Sequence, residues 1–276
     1  MKRPYLLGKS WFSTKENHLF SNQENIFKAR QHFLEHRPLT LNFLLEKRYS
    51  WMNSYIDEED RGIEIGCGTG LSKLFIKSKN FMITDFIDNS WIDSKIDALN
   101  MPFENSSLDY IIASNVLHHL AKPGVFMEEC SRVLRNKGRL IIQETNLSLL
   151  LRFLLRITNH EGYSYDVDVF DRKTTCNNPD DPWSCNIAIP NLLFDKIDKF
   201  ERIFSLKLIH NRYTECILWP LSGGIAPVGK QINLSRKILK IVERIDSLLI
   251  AISKDIFALQ RQIVLENIKL TGNIIS

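Results

Sequence analysis

Gly66, Gly68 and Gly70 fall in the stretch R-G-I-E-I-G-C-G-T-G, residues 61–70 of a 276-residue chain. Ile63 and Ile65 alternate with Glu64 as a short buried strand would, and the three glycines follow within five residues. Glycine carries no Cβ, so it turns tightly and lets a ligand approach the backbone. A helix starting near Leu71 would turn its free amide groups towards the same ligand. That is the build of a nucleotide-type cofactor site in an α/β fold. A dinucleotide fingerprint reads G-x-G-x-x-G. Here the spacing is G-x-G-x-G with an acid two residues ahead, which disfavours a nicotinamide dehydrogenase.

Acids and histidines recur downstream. Asp85 closes the apolar run Phe81 to Thr84, where a carboxylate can accept hydrogen bonds from two vicinal hydroxyls. Asp88 is the alternative if the register slips. His118 and His119 follow Asn115-Val116-Leu117, and a histidine there can take a proton from a substrate. His160 and Glu161 open H-E-G-Y-S-Y-D-V-D-V-F-D and are candidates for substrate binding or general-base work, alongside His119. Asp166, Asp168 and Asp171 alternate like one face of a strand but lack calcium-loop spacing, so no metal site is expected. Asp181-Pro182-Trp183 is either an aromatic wall or a turn with a buried indole.

The elements that must position these groups follow from hydrophobic periodicity. Residues 1–60 form a helical cap broken at Pro38, with Phe27, Leu34, Leu41, Leu44, Leu45, Trp51 and Tyr55 at helical spacing. The spacing predicts a helix over Leu71 to Ser78, a strand over Phe81 to Thr84, and another over Ser107 to Ser114. Pro123 to Leu134 should be helical, Leu140 to Gln143 a strand with Glu144 at its end. Leu147 to Ile157 is apolar almost all round apart from Arg152 and Arg156, and should be a buried helix. Phe204 to His210 and Gln262 to Glu266 read as the last strands. Between them come a flexible loop, Leu218 to Gly224, and an amphipathic helix, Leu234 to Ile252, expected to pack on the core.

E-x-G-x-G-x-G resembles the first motif of class I S-adenosylmethionine-dependent methyltransferases, and the likeness runs from Arg61 through Glu144. Asp97-Ala98 before Met101-Pro102-Phe103, the L-H-H-L of residues 117–120, and Arg132-Val133-Leu134 with Gly138 all fit it. The resemblance implies a Rossmann-like α/β fold: a seven-stranded, mostly parallel sheet whose last strand inserts antiparallel. It implies S-adenosyl-L-methionine as donor and S-adenosyl-L-homocysteine as product. Cofactor contacts would come from Glu64, Gly66, Cys67, Gly68 and Gly70, with Asp85 on the ribose and Asp97 and Ala98 on the adenine. Asn115 and Val116 would line the methionine end. His160-Glu161-Gly162, D-P-W-x-x-N-x-A-I-P-x-L-L-F and L-S-G-G are similar to a bacterial subgroup loosely tied to surface glycan or lipid pathways.

The expected organisation is a cap (1–60), a cofactor-binding core (61–146), an insert or substrate lid (147–202) and final strands with the amphipathic helix (203–276). The acceptor would be a small molecule, a glycan precursor or a lipid. A net charge of +4 with no dense Lys/Arg run gives no reason to expect nucleic acid, hence no RNA methyltransferase. Five cysteines without a C-x-x-C pair fit a reducing cytosol. The opening M-K-R-P-Y-L-L-G-K lacks a secretory core and no run of about 18 apolar residues occurs, so a cytoplasmic monomer or homodimer is expected. Peripheral contact with the inner face of a membrane stays open, as do a lipid- or quinone-modifying enzyme at that membrane and a non-catalytic cofactor-binding scaffold.

Overall fold

The protein is described here by a computed structural model, which covers residues 7–14, 23–224 and 231–269. Most of the N-terminal stretch considered for a signal, residues 1–6, lies outside them.

A seven-stranded sheet forms the centre. In chain order its strands are β2 (Arg61–Ile65), β3 (Asn80–Asp85), β4 (Ser94–Lys95), β5 (Leu108–Ser114), β6 (Leu134–Thr145), β8 (Leu206–Thr214) and β9 (Gln260–Asn267). Their order across the sheet is β4-β3-β2-β5-β6-β9-β8. The first five run parallel, and β9 enters antiparallel between β6 and β8. This is the Rossmann-like arrangement the sequence implied.

Alternation within the strands divides the core into two faces. Ile63, Ile65, Ile111, Ala113, Leu140, Ile142, Ile263 and Leu265 pack with Phe126, Met127, Cys130 and Val133 of α3 (Pro123–Val133). They also meet Leu193 of α5 (Ile189–Phe194) and Phe200 of α6 (Ile197–Ile203). Tyr110, Ile112, Ile141 and Val264 face the other way. There they meet Leu41, Leu44 and Leu45 of α2 (Leu39–Tyr49) and Leu239 of α8 (Arg236–Ile252). Central strands covered on both faces are what a parallel sheet requires.

Several elements differ from expectation for local reasons. The helix after the glycines shrinks to a single 3₁₀ turn, Leu71–Leu74. Asn53 captures the chain just beyond it, donating to the Phe75 carbonyl at 2.9 Å and accepting from the Lys77 amide at 3.0 Å. The third strand is only Ser94–Lys95. The cap holds α1 (Gln23–His36), α2 and a 3₁₀ segment, Ser50–Tyr55, but Phe27 and Leu34 stay exposed. A short strand the periodicity could not show, β1 (Ser10–Trp11), pairs with β7 (Tyr163–Ser164) of the insert.

The helix near residue 150 is α4 (Leu149–Thr158), which buries Leu151, Arg152 and Leu155 but exposes Phe153 and Ile157. Arg152 lies against the rings of Tyr163 and Tyr165. Residues 218–222 form a short helix, α7 (Leu218–Ser222), rather than a loop. Buried Asp246 accepts from the amides of Cys216, Ile217 and Leu218 and so holds its N-terminus. The amphipathic helix α8 does not pack as a core helix: only Leu239 and Asp246 are buried, while Ile238, Ile241, Ile245, Leu248 and Ile252 are exposed. A short helix, α9 (Lys254–Phe257), leads into β9. No helix among the described residues is long and apolar enough to cross a membrane.

Candidate active site at the carboxyl edge of the sheet

The loops leaving β2, β3 and β5 meet at one edge, where open α/β sheets place ligands. After β2 the backbone turns through Gly66 at φ 63° and Gly68 at φ 51°. A Cβ on Gly66 would lie 2.1 Å from Cγ2 of Val116, so the turn needs glycine there to seat against the loop after β5. A Cβ on Gly68 would meet nothing within 4 Å: its open face is a cradle that a side chain would fill. The Cys67 amide donates to the Thr84 carbonyl, and the Trp91 indole N–H to the Gly68 carbonyl at 2.9 Å. Arg30 of α1 donates to the Thr69 carbonyl at 2.6 Å and stacks over Trp91. The cap therefore lies directly over the glycine turn.

Asp85 is 9% exposed, its Oδ2 accepting from the Gly68 amide at 2.8 Å and its Oδ1 from the Ile87 amide at 2.9 Å. Burial pushes its carboxyl above the usual range, against the pull of these amides. The Phe86 amide also acts on it, and with about four acceptor positions on a carboxylate capacity remains for a ligand. The Ile96 amide donates to the Asp85 carbonyl and brings the next segment alongside. Asp97 there is exposed, Ala98 is buried, and the Asp97 carboxylate takes the Leu99 amide at 2.8 Å. Asp88, the alternative to Asp85, lies exposed three residues beyond the end of β3.

Glu64, which the resemblance implied among the cofactor contacts, is bound by hydroxyls of the protein itself. It lies beneath the turn, 1% exposed, accepting from the Ser72 hydroxyl and from Tyr49 Oη at 3.4 Å. Burial, then the charge of Asp85, pushes its carboxyl up to about 8 although the Ser72 and Tyr49 hydroxyls oppose the shift. It supports the turn from below. Burial likewise pushes the Cys67 thiol far up, so Cys67 contributes backbone and packing rather than a nucleophile.

On the other side, Asn115 (φ 54°) follows β5 and accepts from Gln260 Nε2 at 3.1 Å. The 3₁₀ turn Leu117–His119 carries the two histidines. Glu144, fully buried at the end of β6, accepts the Leu117 and Thr145 amides at 2.8 Å and His118 Nδ1–H at 2.6 Å. Burial works against its charge, but His118 and these donors outweigh it and hold the carboxyl below the usual range. His118 shows the reciprocal balance: burial opposes its charge, and Glu144 carries the ring upward. His119 donates Nδ1–H to the Ser184 carbonyl at 3.1 Å. Burial first, then the charge of His118, pushes it down to about 4, leaving a neutral ring at pH 7.

The insert is fastened here by side chains. Asn177 donates to the carbonyls of His118 and Leu120, and the Asn186 amide donates to the His118 carbonyl at 2.8 Å. Glu161 joins His118 and His119, one ligand-type atom from each lying within 4.8 Å of the others, and His160 Nε2 lies 3.8 Å from Glu161 Oε1. Glu144, Ser184 and Asn177 were not singled out from sequence, although Glu144 was placed at a strand end, and Asn186 entered only as the Asn of D-P-W-x-x-N. Asp166, Asp168 and Asp171 do not converge: Asp168 and Asp171 accept the amides of Phe170 and Lys173 in their own turns, and Asp166 meets Ser10. Asp181 closes a turn by accepting the Trp183 amide. A cleft of about 550 Å³ opens beside the cluster, lined in part by Phe12, Gly162, Asn177, Ser184 and Asn186.

The family described as methyltransferase domain matches residues 63–142, the span from β2 into β6. No curated protein matches the chain. Among solved structures, a methyltransferase of Archaeoglobus fulgidus is 14% identical, covering 81% of this chain and 93% of its own at a TM-score of 0.50. One from Methanosarcina mazei is 15% identical, covering 80% and 99% at 0.45. One from Thermotoga maritima is 14% identical, covering 92% and 100% at 0.46. At 14% identity the likeness to the Archaeoglobus fulgidus structure is one of fold. The matching domain and that fold support S-adenosylmethionine as donor and S-adenosylhomocysteine as product. The chain thus has the Rossmann-like fold seen in S-adenosylmethionine-dependent methyltransferases, and its residues 63–142 match the methyltransferase domain.

Proposed function

We propose that the protein transfers a methyl group from S-adenosylmethionine to a small-molecule, glycan-precursor or lipid acceptor held under the insert. The observation that carries this is the cradle at Gly68, bounded by a buried carboxylate, Asp85, with acceptor positions to spare. S-adenosylmethionine supplies a methyl group already activated by its sulfonium. In this reading Asp85 accepts the ribose hydroxyls, Asp97 accepts from the adenine amino group, and Ala98 offers the adjoining amide. Gly68 gives the backbone face, while Asn115 and Val116 border the methionine end. The protein then has to align an acceptor and keep water out. α1, tied down through Arg30, and the insert, tied down through Asn177 and Asn186, are the covers. An oxygen or nitrogen acceptor must also lose a proton, for which His119, His160 and Glu161 are the groups at hand.

Titration calorimetry with S-adenosylhomocysteine tests the donor half. Asp85→Ala removes two charge-assisted hydrogen bonds of about 1.5–3 kcal/mol each, so affinity should fall at least about 100-fold. Unchanged affinity removes Asp85 from the site.

A second reading places the acceptor in a membrane surface. It is favoured by the exposed Ile238, Ile241, Ile245, Leu248 and Ile252 of α8, flanked by exposed Lys237, Lys240 and Arg244, which suit anionic lipid. Flotation with vesicles containing phosphatidylglycerol should carry the protein upward, and Ile241→Glu should abolish this. Failure to float excludes the surface reading and leaves the soluble acceptor.

A further inference from the structure

We propose that His118, His119 and Glu161 form a binding site for one divalent transition-metal ion, with coordination positions left open. Their ligand-type atoms lie within 4.8 Å of one another, and no comparable group of histidine, cysteine and acid occurs elsewhere among the described residues. The hydrogen bonds fix which atoms are offered. Glu144 already accepts two backbone amides and faces His118 Nδ1 at 2.6 Å, so that nitrogen carries the proton. The Ser184 carbonyl can only accept, so His119 Nδ1 donates to it as well. In each ring Nε2 is then the nitrogen left to ligate a metal, giving up any proton it carries. A metal-ligating histidine characteristically gives its other N–H to a carboxylate or a backbone carbonyl, which orients the ring. This pair uses one of each.

The supporting backbone is fixed too. The His118 carbonyl takes the Asn186 amide and Asn177 Nδ2, both at 2.8 Å, and the His119 amide donates to the Val116 carbonyl. Two imidazoles and one carboxylate suit zinc or iron(II), whereas calcium and magnesium favour oxygen throughout. Three protein ligands are the number of a site that keeps room for water or substrate. The cation site rests on these side chains alone; its use as an anchor for an acceptor oxygen rests on the proposed methyl transfer.

His32 and His36 of α1 stack at 4.7 Å one helical turn apart and could pick up an ion by themselves, so the test begins from the H32A/H36A chain. Stripped with a chelator, that protein is titrated with Zn²⁺ by calorimetry and with Co²⁺ by visible absorption. The expected result is one ion per chain, with cobalt d–d bands and no thiolate charge-transfer band. Glu144→Gln keeps the shape but weakens the histidine's orientation and should lower affinity by about 10–100-fold. His119→Ala and Glu161→Gln should lower it further. Melting curves for each variant show that the fold is retained. Stoichiometric loss of the ion, affinity unchanged in both His119→Ala and Glu161→Gln, or a thiolate band overturns the proposal. Metal binding without any S-adenosylhomocysteine binding supports this site while striking the transfer reading.

Discussion

Around Gly68 the polar partners are mostly main-chain groups and neighbours close in sequence: Asp85 takes the Gly68 and Ile87 amides, and Ile96 donates to the Asp85 carbonyl. Around His118 and His119 the partners are side chains and carbonyls from far along the chain, namely Glu144, Asn177, Ser184 and Asn186. In the proposed reading the first region is the donor half, made of backbone shape that a glycine spacing can specify. The second is the acceptor half, made of long-range side-chain bonds that no local spacing specifies.

Asn186→Ala should produce the largest effect and confine it to the acceptor half. Its amide satisfies the Ser164 amide, the Ser164 carbonyl and the Ala188 amide. Each group left bare costs about 1–3 kcal/mol. Denaturant unfolding should show the sum, while S-adenosylhomocysteine affinity in the remaining folded protein stays near wild type. Loss of both together would join the two halves into one unit.

Glu64 offers a test by pH within the donor half. Its folded carboxyl titrates at about 8, above the ordinary 4.5, so between those values the folded chain holds a proton that the unfolded chain has released. Stability must then fall as pH rises through that window. Glu64→Gln should remove a slope worth on the order of 4 kcal/mol across it. Parallel melts near pH 5 and near pH 8 that keep the same slope in the variant would show Glu64 to be ionised beneath the turn.

Gly66→Ala combines a left-handed backbone, costing about 1–3 kcal/mol, with a contact at Val116 Cγ2. Adding Val116→Ala should recover the contact part and not the backbone part. Complete rescue would mean the φ of 63° is not demanded by the fold. The smallest effect on stability is expected for Gly68→Ala, about 1 kcal/mol from backbone alone. Its new methyl enters the open cradle, so donor affinity should drop far more than the melting temperature does. A variant that binds S-adenosylhomocysteine normally would show that nothing sits against Gly68.

Much of the scaffold was legible because its signals are local. β2, β3, β5 and β9 announce themselves by apolar runs of strand length, and α3 by a 3.6-residue period. The glycines, Asp85 and Asp97-Ala98 fall at or just past the ends of β2, β3 and β4, positions that the local pattern gives. The 3₁₀ turn at Leu71–Leu74 was not legible, because Asn53, on another element, captures the chain. Nor was β1, whose partner lies some 150 residues away. The surroundings of Glu64 were not legible either, because an acid before glycines carries no mark of the buried Ser72 and Tyr49 that enclose it. α8 has the composition of a packed helix, and only the structure shows which of its faces is left bare.

The position of β9 bears on the order in which the molecule can be assembled. β8 reaches the sheet only through β9, and β9 fills the gap beside β6 with residues 260–267. While a ribosome is still making the chain, everything up to residue 259 can emerge with the edge of β6 unpaired and apolar. Final closure waits on contacts distant in sequence, which slows folding and leaves that edge open to the wrong partner in the meantime. The glycine turn, by contrast, takes its direct partners, Arg30, Thr84, Asp85 and Trp91, from residues made well before β9.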